Sequence, residues 1–267
     1  MTTKRRPIYA ANWKMNLNAA AARDFVAEIA PVAAATPGQV LIFPPAVYLS
    51  LVAAAAQDTQ VETGAQNMFW ETAGAYTGEI SADMVADCGA RYVLCGHSER
   101  RHIFNESSEM VTRKASAAQQ HGLIPVICVG ETLEERESGE TMEVLRNDVV
   151  CSLAAVTPSP QVVIAYEPVW AIGTGKVATP VDAESAIGYI RAVIREQWGD
   201  MADSIRILYG GSVKPGNTAE LMECPNIDGV LVGGASLDAG CVAPDHTVLM
   251  LLQSLKFQNK ELIEMSE

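Results

Sequence analysis

The chain has little positive charge for its size, and this excludes one class of partner. Nineteen lysines and arginines stand against 32 aspartates and glutamates, which gives a net charge of -13. A surface of this sign repels the phosphate backbone of nucleic acids, so we expect no nucleic-acid partner. A small anionic ligand stays compatible with it, because a few backbone N–H groups and one lysine reverse the sign locally.

Histidines and paired cysteines are also scarce. The chain has four histidines and six cysteines, without an HExxH sequence or a Cys-x-x-Cys pair. We therefore expect no dedicated metal site, and the isolated thiols are typical of a reduced cytosolic protein.

Long apolar runs are missing as well. A basic segment at residues 4–7, with three basic residues and a proline, is soon followed by the polar sequence Asn12-Trp13-Lys14, and no run of 18 apolar residues occurs. We expect neither a secretory signal peptide nor a membrane span, and the predicted location is the cytoplasm.

What the chain does have is a regular alternation of short β-rich apolar runs with longer helical patterns. The candidate strands are residues 8–12, 40–43, 61–65, 92–95, 124–129, 162–167, 205–209 and 229–232. Strands that are apolar on both faces and alternate with helices indicate parallel βαβ units. Eight units in 267 residues predict an α/β protein with one closed (β/α)8 barrel. An open doubly wound sheet is the alternative. No long polar linker divides the chain, so residues 1–267 are predicted to form a single domain.

Two helix starts carry clear capping signals. Thr179 followed by Pro180 is typical of an N-cap and a first helical residue, and Thr132 with Glu135 predicts a capping box. Apolar residues recur at helical spacing after Pro180, at Ala183, Ala186, Ile187, Ile190 and Ile194.

One strand delivers a carboxylate to an unusual loop. Glu167 ends the sixth apolar run, and the loop after it carries Trp170 and Ile172, then Gly173 and Gly175. A carboxylate beneath an apolar, glycine-hinged flap suggests a base that works with water excluded. The alternative is a capped strand followed by a loop packed on the core.

The ends of other strands add polar candidates, since barrel enzymes place their sites there. Asn12 and Lys14 follow the first strand, and Gly96-His97 follows the fourth. We expect Glu99 to hold Lys14 in place. Each of these has a plainer interpretation, because lysine is usually a surface charge and His97 also fits a surface ion-pair cluster. Arg100 and Arg101 are predicted to be structural.

Paired glycines follow the last two strands, at Gly210-Gly211 and Gly233-Gly234. Such pairs let main-chain N–H groups point at an anion, and helix N-termini add a favourable dipole. Their position after strands seven and eight is where (β/α)8 barrels commonly bind phosphate.

These motifs together resemble the triosephosphate isomerase family in order and spacing, over nearly the whole chain. The matching segments are Asn12-Trp13-Lys14, Ala65-Gln66-Asn67, residues 74–81, Gly96-His97-Ser98-Glu99-Arg100-Arg101, Cys128-Val129-Gly130-Glu131, residues 165–175, Tyr209-Gly210-Gly211-Ser212-Val213 and Gly233-Gly234-Ala235-Ser236-Leu237. The resemblance implies a TIM barrel that interconverts dihydroxyacetone phosphate and D-glyceraldehyde 3-phosphate, without cofactor or metal.

The resemblance also implies residue roles. Glu167 is the expected base, His97 the electrophile acting as a neutral imidazole with a depressed pKa, and Lys14 the cation that stabilises the enediolate. The expected substrate-binding residues are Asn12, Lys14, Gly173, Ser212, Gly233 and Gly234. Closing the flap, residues 168–178, would keep the enediolate from losing its phosphate.

The departures from the family pattern are modest. Val177 stands where threonine is commoner, which we expect to affect flap opening more than chemistry. Ala82 replaces a frequent proline at a predicted helix start. The tail after Leu237 is less typical, and its sequence predicts no function.

The loop at residues 66–80 is predicted to join two subunits. Met68, Phe69, Trp70 and Tyr76 form an apolar group too large to leave wet. The family pattern implies a homodimer in which Thr77 approaches Asn12 and Lys14 of the other protomer. A loop folded on its own barrel and a tetramer are the alternatives.

Two other functions compete with the isomerase. One is a phosphate-binding aldolase that uses Lys14 as a Schiff base. The other is a non-catalytic binding protein that kept the fold; the intact set of Lys14, His97 and Glu167 counts against it.

Overall fold

A computed structural model describes residues 5–172, 177–213 and 215–240. Residues 1–4, 173–176, 214 and 241–267 therefore lie outside the described residues, and Gly173 is one of them. The strands are β1 Ile8–Asn12, β2 Gln39–Phe43, β3 Val61–Ala65, β4 Tyr92–Cys95, β5 Ile124–Val129, β6 Val163–Tyr166, β7 Arg206–Tyr209 and β8 Gly229–Val232. They pair in parallel in chain order, and β8 pairs with β1 to close the barrel. The predicted closed barrel is confirmed, and the open sheet is excluded.

Helices cover the outside of the barrel in the described ranges. The α-helices are α1 Ala19–Ala35, α2 Leu49–Ala56, α3 Ala82–Asp87, α4 Ser98–Ile103, α5 Ser108–Gln120, α6 Leu133–Glu137, α7 Thr141–Leu153, α8 Pro180–Trp198 and α9 Pro215–Glu223. Short 3-10 helices span Ala46–Tyr48, Val169–Ala171, Gly199–Asp203 and Gly234–Gly240. Within the described part of the chain, no helix is long and apolar enough to cross a membrane.

The strands are apolar on both faces because each face packs against a different layer. Along β1, Ile8 and Ala10 belong to the cluster inside the barrel, whereas Tyr9 and Ala11 belong to the layer between strands and helices. The predicted strand boundaries agree within one residue at each end. Glu167 lies just past β6, although its N–H still donates to Val129 O at 2.8 Å.

The predicted caps are confirmed. Thr179 and Asp182 form a capping box at the start of α8, with Pro180 in the first turn, and Thr132 with Glu135 caps α6. Ala82 is the first residue of α3, and the Ser81 hydroxyl accepts a hydrogen bond from Met84 N. The five apolar positions that recur at helical spacing in α8 are all buried.

A polar network fills the amino-terminal end of the barrel. Gln39 Nε2 donates to Glu62 Oε1 and to the Tyr92 hydroxyl, both at 2.6 Å, and Arg206 Nη1 donates to Gln39 Oε1 at 2.8 Å. We call Gln39, Glu62, Tyr92 and Arg206 the amino-terminal network. Because its members hydrogen-bond to one another, this network stabilises the amino-terminal end of the barrel. The candidate site lies at the opposite, carboxyl end.

Candidate active site

The predicted polar residues converge at the carboxyl end of the barrel. Asn12, Lys14, His97 and Glu167 line one cavity of about 430 Å³. The same cavity is lined by the residues after β7 and β8, which are Gly210, Gly211, Ser212, Val213, Gly233, Gly234 and Ala235. The structure therefore brings both the charged side chains and the glycine pairs to one place.

Lys14 is held in a conformation that lysine rarely adopts. Its φ of 51° lies in the left-handed region, which costs a residue with a Cβ about 1–2 kcal/mol. Asn12 Oδ1 accepts from Lys14 N at 3.0 Å, and Gln66 Nε2 donates to Lys14 O at 2.8 Å. The side chain reaches Glu99, with Nζ 2.5 Å from Oε1. Glu99 therefore contacts the Lys14 ammonium directly.

His97 is oriented from both sides of its ring. Its backbone forms the N-cap of α4, and Nδ1 accepts a hydrogen bond from Glu99 N at 3.2 Å. Nε2 lies 2.9 Å from Glu167 Oε1. Because Nδ1 accepts a backbone N–H, the ring proton lies on Nε2, facing the carboxylate.

Glu167 is buried and doubly held. Its second oxygen, Oε2, accepts from Ser98 N at 2.8 Å. Burial acts to raise the pKa of Glu167, but His97, the Ser98 N–H and Lys14 outweigh burial and lower it. The described arrangement is therefore one in which the carboxylate is stabilised as an anion.

The pKa of His97 departs in the direction opposite to that expected from the resemblance. Burial acts to lower it, but the carboxylate of Glu167 at 2.9 Å raises the pKa above its usual value. The physical reason is the position of Glu167, which faces the imidazole rather than the space of the cavity. A depressed pKa requires that carboxylate to move away.

Two glycines make room for Glu167. A Cβ on Gly130 would lie 1.8 Å from Glu167 O, so only glycine lets the chain after β5 pass beneath the Glu167 backbone. A Cβ on Gly210 would lie 3.0 Å from Glu167 Cγ. The glycine there leaves space beside the side chain.

The glycine-rich loops after β7 and β8 are held by hydrogen bonds to their own carbonyl groups. Gly233 O accepts from both Ser236 N at 2.8 Å and Ser236 Oγ at 2.7 Å, which fixes the turn after β8. Ser212 O accepts from Asn217 Nδ2 at 3.1 Å. Gly173, the remaining predicted phosphate ligand, lies outside the described residues.

The beginning of the flap packs on the barrel. Trp170 and Ala171 are buried, and Trp170 Nε1 donates to Glu131 Oε1 at 2.9 Å. Residues 173–176 lie outside the described residues. Val177, on the far side, is exposed.

Contacts at several site residues were not predicted from the sequence. They include the bond from Gln66 to Lys14, the Ser98 N–H on Glu167, and Gly130 under the Glu167 backbone. Burial raises the pKa of the Cys128 thiol, and the neighbouring Glu167 carboxylate adds to this. Gln66, Cys128 and Gly130 lie in motifs that match the family. Gln66 directly follows β3, Cys128 lies near the end of β5 and Gly130 follows β5, and these positions were the available signal.

Only part of the predicted apolar group in residues 66–80 is accessible. Met68 is fully buried in its own barrel, so it does not belong to the apolar group that the predicted subunit contact would cover. Phe69 packs on Trp70 and Tyr76 at centroid distances of 4.0 and 4.6 Å. Thr77 is exposed at the tip of the loop.

No group of three or more histidine, cysteine, aspartate or glutamate side chains suited to a metal ion occurs in residues 5–172, 177–213 and 215–240. The five cysteines in these ranges are all free thiols.

Comparisons with known proteins agree on one family. A family model described as triosephosphate isomerase matches residues 7–244. A protein named triosephosphate isomerase from Moorella thermoacetica is 50% identical over 237 residues, which cover 88% of this chain and 95% of the relative. Proteins with the same name from Symbiobacterium thermophilum and Rubrobacter xylanophilus are 51% and 49% identical, over 88% and 90% of this chain and 93% and 96% of the relatives.

Proposed function

Because the chain belongs to the triosephosphate isomerase family, we propose that Glu167, His97 and Lys14 are the residues with which it interconverts dihydroxyacetone phosphate and D-glyceraldehyde 3-phosphate. The observation that carries this proposal is the 2.9 Å approach of Glu167 Oε1 to His97 Nε2, in a cavity that Lys14 also lines. A base, a proton-bearing electrophile and a cation are the groups that proton transfer through an enediolate requires.

Glu167 takes a proton from the carbon beside the substrate carbonyl and returns it to the neighbouring carbon. To do so, its carboxylate leaves Ser98 N and His97 and turns into the cavity. Those contacts, together with the charge of Lys14, lower the pKa of Glu167. Once they are broken, burial dominates and raises the pKa, so the rotation itself makes Glu167 a stronger base.

His97 polarises the carbonyl oxygen and moves protons between the two substrate oxygens. When Glu167 turns away, the larger of the two charges that raise the pKa of His97 is removed, and the carboxylate of Glu99 stays. Burial and the Glu99 N–H on Nδ1 then favour a neutral ring with its proton on Nε2. The Nε2–H is the donor that faces the substrate oxygen.

Lys14 supplies positive charge to the enediolate and the phosphate, and Asn12 adds a nearby hydrogen bond. The proposed phosphate donors are the N–H groups of Gly173, Ser212, Gly233 and Gly234. Three of these residues line the cavity and support the assignment. Since a proton moves along the substrate and nothing else is transferred, the proposed reaction uses no cofactor or metal.

The flap, residues 168–178, closes over the enediolate. An exposed enediolate phosphate expels inorganic phosphate and gives methylglyoxal, so covering it protects the intermediate. The support for this role is the apolar, buried beginning of the flap at Trp170, three residues after the proposed base.

The test of these roles is the isomerase reaction measured with the Glu167→Asp variant. We expect the purified protein to isomerise triose phosphates without added metal or cofactor. Shortening the side chain moves the base away from the carbon, and we expect kcat to fall about 10²–10⁴-fold while KM changes little. An unchanged kcat would remove Glu167 from the role of base.

We further propose a homodimer formed through residues 66–80, with Thr77 entering the partner's site beside Asn12 and Lys14. Large apolar side chains left mostly exposed on the same side of the barrel support this: Met15, Val47, Ile103 and Phe104. A second cavity, of about 390 Å³, is lined by Asn12, Lys14, Gln66 and Gly78, so it adjoins the residues that the entering Thr77 would contact.

Measurement of the mass in solution tests the dimer. We expect twice the 28.5 kDa of one chain, and Tyr76→Glu, which places a charge on the exposed aromatic group, should shift the mass towards the monomer. Val181→Glu is the control, because it adds the same charge at an exposed position of α8 and should leave the mass unchanged. A native monomer would contradict the proposal.

We also propose a cytoplasmic location and a single domain over residues 1–267. Free thiols at all five described cysteines and one continuous barrel support them. Cell fractionation tests the location. A single cooperative unfolding transition is expected of one domain, and two separate transitions would contradict it.

A further inference from the structure

The loop at residues 66–80 projects from the barrel through a fixed base. Residues 72–79 are exposed one after another. The neck of the loop is nevertheless closed, because Phe69 N donates to Ile80 O at 2.8 Å. Ile80 also packs against the apolar layer between the strands and the helices. The two strands of the neck are therefore held together where they leave the barrel.

The tip of this loop is a tight turn. Glu79 N donates to Tyr76 O at 3.0 Å, and Gly78, between them, has a φ of 96°. A type II turn requires a positive φ at its third residue, where glycine is favoured. Thr77 and Gly78 are the central residues of the turn, so their position at the tip is set within the loop itself.

Three aromatic side chains form a small core between the neck and the tip. The ring of Phe69 contacts both Trp70 and Tyr76. The ring of Tyr76 lies against Gly74, where a Cβ would be 2.7 Å from Tyr76 Cε2. A larger residue than glycine there would displace the ring. These contacts connect the base of the loop to the turn at its tip.

Arg113 attaches this aromatic core to helix α5. Its Cζ is 4.3 Å from the centre of the Trp70 ring, and its Nη2 lies 3.7 Å from Glu71 Oε1. The next residue of α5, Lys114, donates from Nζ to Asn67 Oδ1 at 2.7 Å. Two neighbouring residues of one helix therefore hold the loop, one at its base and one at its aromatic core.

The composition of the tip suits a second copy of this chain. Two copies, each with a net charge of -13, repel one another. Residues 72–78 contain no charged side chain, and Arg113 lies beside Glu71, the acid that precedes them. Such a segment approaches an acidic neighbour at a lower electrostatic cost than a loop that carries exposed carboxylates.

We propose that Arg113 is a positioning residue that fixes the shape of the 66–80 loop in the free subunit, so that the loop docks preformed into a second copy of this chain. The inference rests on the proposed homodimer. A flexible loop would lose conformational freedom on docking, and that loss would weaken the dimer. A guanidinium suits this role because it stacks flat on an indole while its nitrogens face a carboxylate.

The experiment measures the subunit dissociation constant of native protein and Arg113→Met by sedimentation over a dilution series. Methionine keeps a long side chain but removes the charge and the planar group. Each dimer contains two loops, so a cost of about threefold at each loop, the size expected of one exposed cation–π contact, raises the dissociation constant about tenfold. Where the dimer is complete, kcat and KM should stay unchanged, because Arg113 lies on α5, outside the catalytic cavity.

A double variant separates positioning from direct contact with the partner. In a Trp70→Leu background, Arg113→Met should change the dissociation constant less than about twofold, because Arg113 acts through the indole. A side chain that touched the partner directly would add its full effect. Arg113→Lys should give an intermediate rise, since it keeps a charge near Glu71 but loses the planar stack.

Arg146→Met is the matched control. Arg146 pairs with Glu196 at 2.6 Å between α7 and α8, and its loss should leave the dissociation constant unchanged. An unchanged constant in Arg113→Met, an equal rise in Arg146→Met, or a full additional rise in the Trp70→Leu background overturns the proposal. If Arg113→Met does not fold, Arg113→Lys decides in the same way. Native protein that is monomeric at every concentration would instead overturn the proposed homodimer.

Discussion

The two ends of the barrel hold polar groups for opposite purposes. At the amino-terminal end, the amide of Gln39 forms hydrogen bonds of 2.6–2.8 Å with Glu62, Tyr92 and Arg206, and it uses both its donor and its acceptor in them. At the carboxyl end, Glu167 is bonded to His97 and Ser98 N, which are groups it has to leave during the proposed reaction. The amino-terminal network stabilises the barrel, whereas the contacts of Glu167 stabilise the anionic form of the proposed base.

Gly130→Ala is expected to have the largest effect, a loss of catalytic rate at the carboxyl end of the barrel. The added methyl group would lie 1.8 Å from Glu167 O, so the backbone of Glu167 has to shift. A displacement of about 1 Å at a catalytic group costs about 10²-fold in rate. We expect kcat to fall by that factor, measured by steady-state isomerisation.

Gly139→Ala is the matched control for that prediction. A Cβ at Gly139 meets nothing within 4 Å, although its φ of 76° makes alanine strained there as well. Stability then falls in both variants, but kcat falls only in Gly130→Ala. Equal kcat in the two variants would show that the contact with Glu167 is unimportant.

Gln39→Leu is expected to have a smaller effect, which lowers stability rather than the catalytic rate. The substitution removes the amide that the Tyr92 hydroxyl and Arg206 both use. Leaving such groups unpaired costs about 1–3 kcal/mol of unfolding free energy, measured by urea titration. We expect kcat to change less than about twofold, since the network lies at the opposite end from the site. Gln57→Leu, at an exposed position, is the control, and a large loss of kcat in Gln39→Leu would remove the distinction between the two ends.

The smallest expected effect is a pH dependence that separates stability from activity. The pKa of His97 is raised, so the stabilisation it gains from Glu167 is present below the pKa of the unfolded state and is lost as pH rises through the folded pKa. The pKa of Glu167 is lowered, so its contribution is lost only as pH falls through that lowered value. The pair therefore stabilises the fold most on the acid side of the His97 titration.

Activity should run the other way. A protonated His97 pairs with Glu167 and keeps the base from the substrate, so we expect kcat/KM to fall with pH below an apparent pKa higher than the ordinary value of histidine. The difference in unfolding free energy between native protein and Glu167→Gln should shrink over the same pH range as activity rises. Parallel curves for stability and activity would contradict the assignment.

Most of the fold followed from local patterns in the sequence. The strands were visible as apolar runs because both their faces are buried, and the starts of α6 and α8 were visible because their caps lie within a few residues. Closure of the barrel depends on the pairing of β8 with β1, at opposite ends of the barrel sequence. No local pattern encodes that pairing.

The site was predictable as a set of residues but less so as a geometry. Glu167, His97 and Lys14 stood out by their positions after strands, whereas the contact of Glu167 with Ser98 joins residues 69 positions apart. The direction of the His97 pKa was missed for this reason, since it depends on which way a distant carboxylate points. Burial of Met68 was missed because an apolar run does not reveal which of its members face the chain's own barrel.

The left-handed backbone of Lys14 has a consequence for evolution and for design. A library of variants sorted for folding alone would favour glycine at this position, since glycine adopts a φ of 51° without steric cost. Such a screen would discard the cation on which the proposed chemistry depends. A thermostabilising campaign on this protein therefore has to hold Lys14 constant if the proposed chemistry is to be kept.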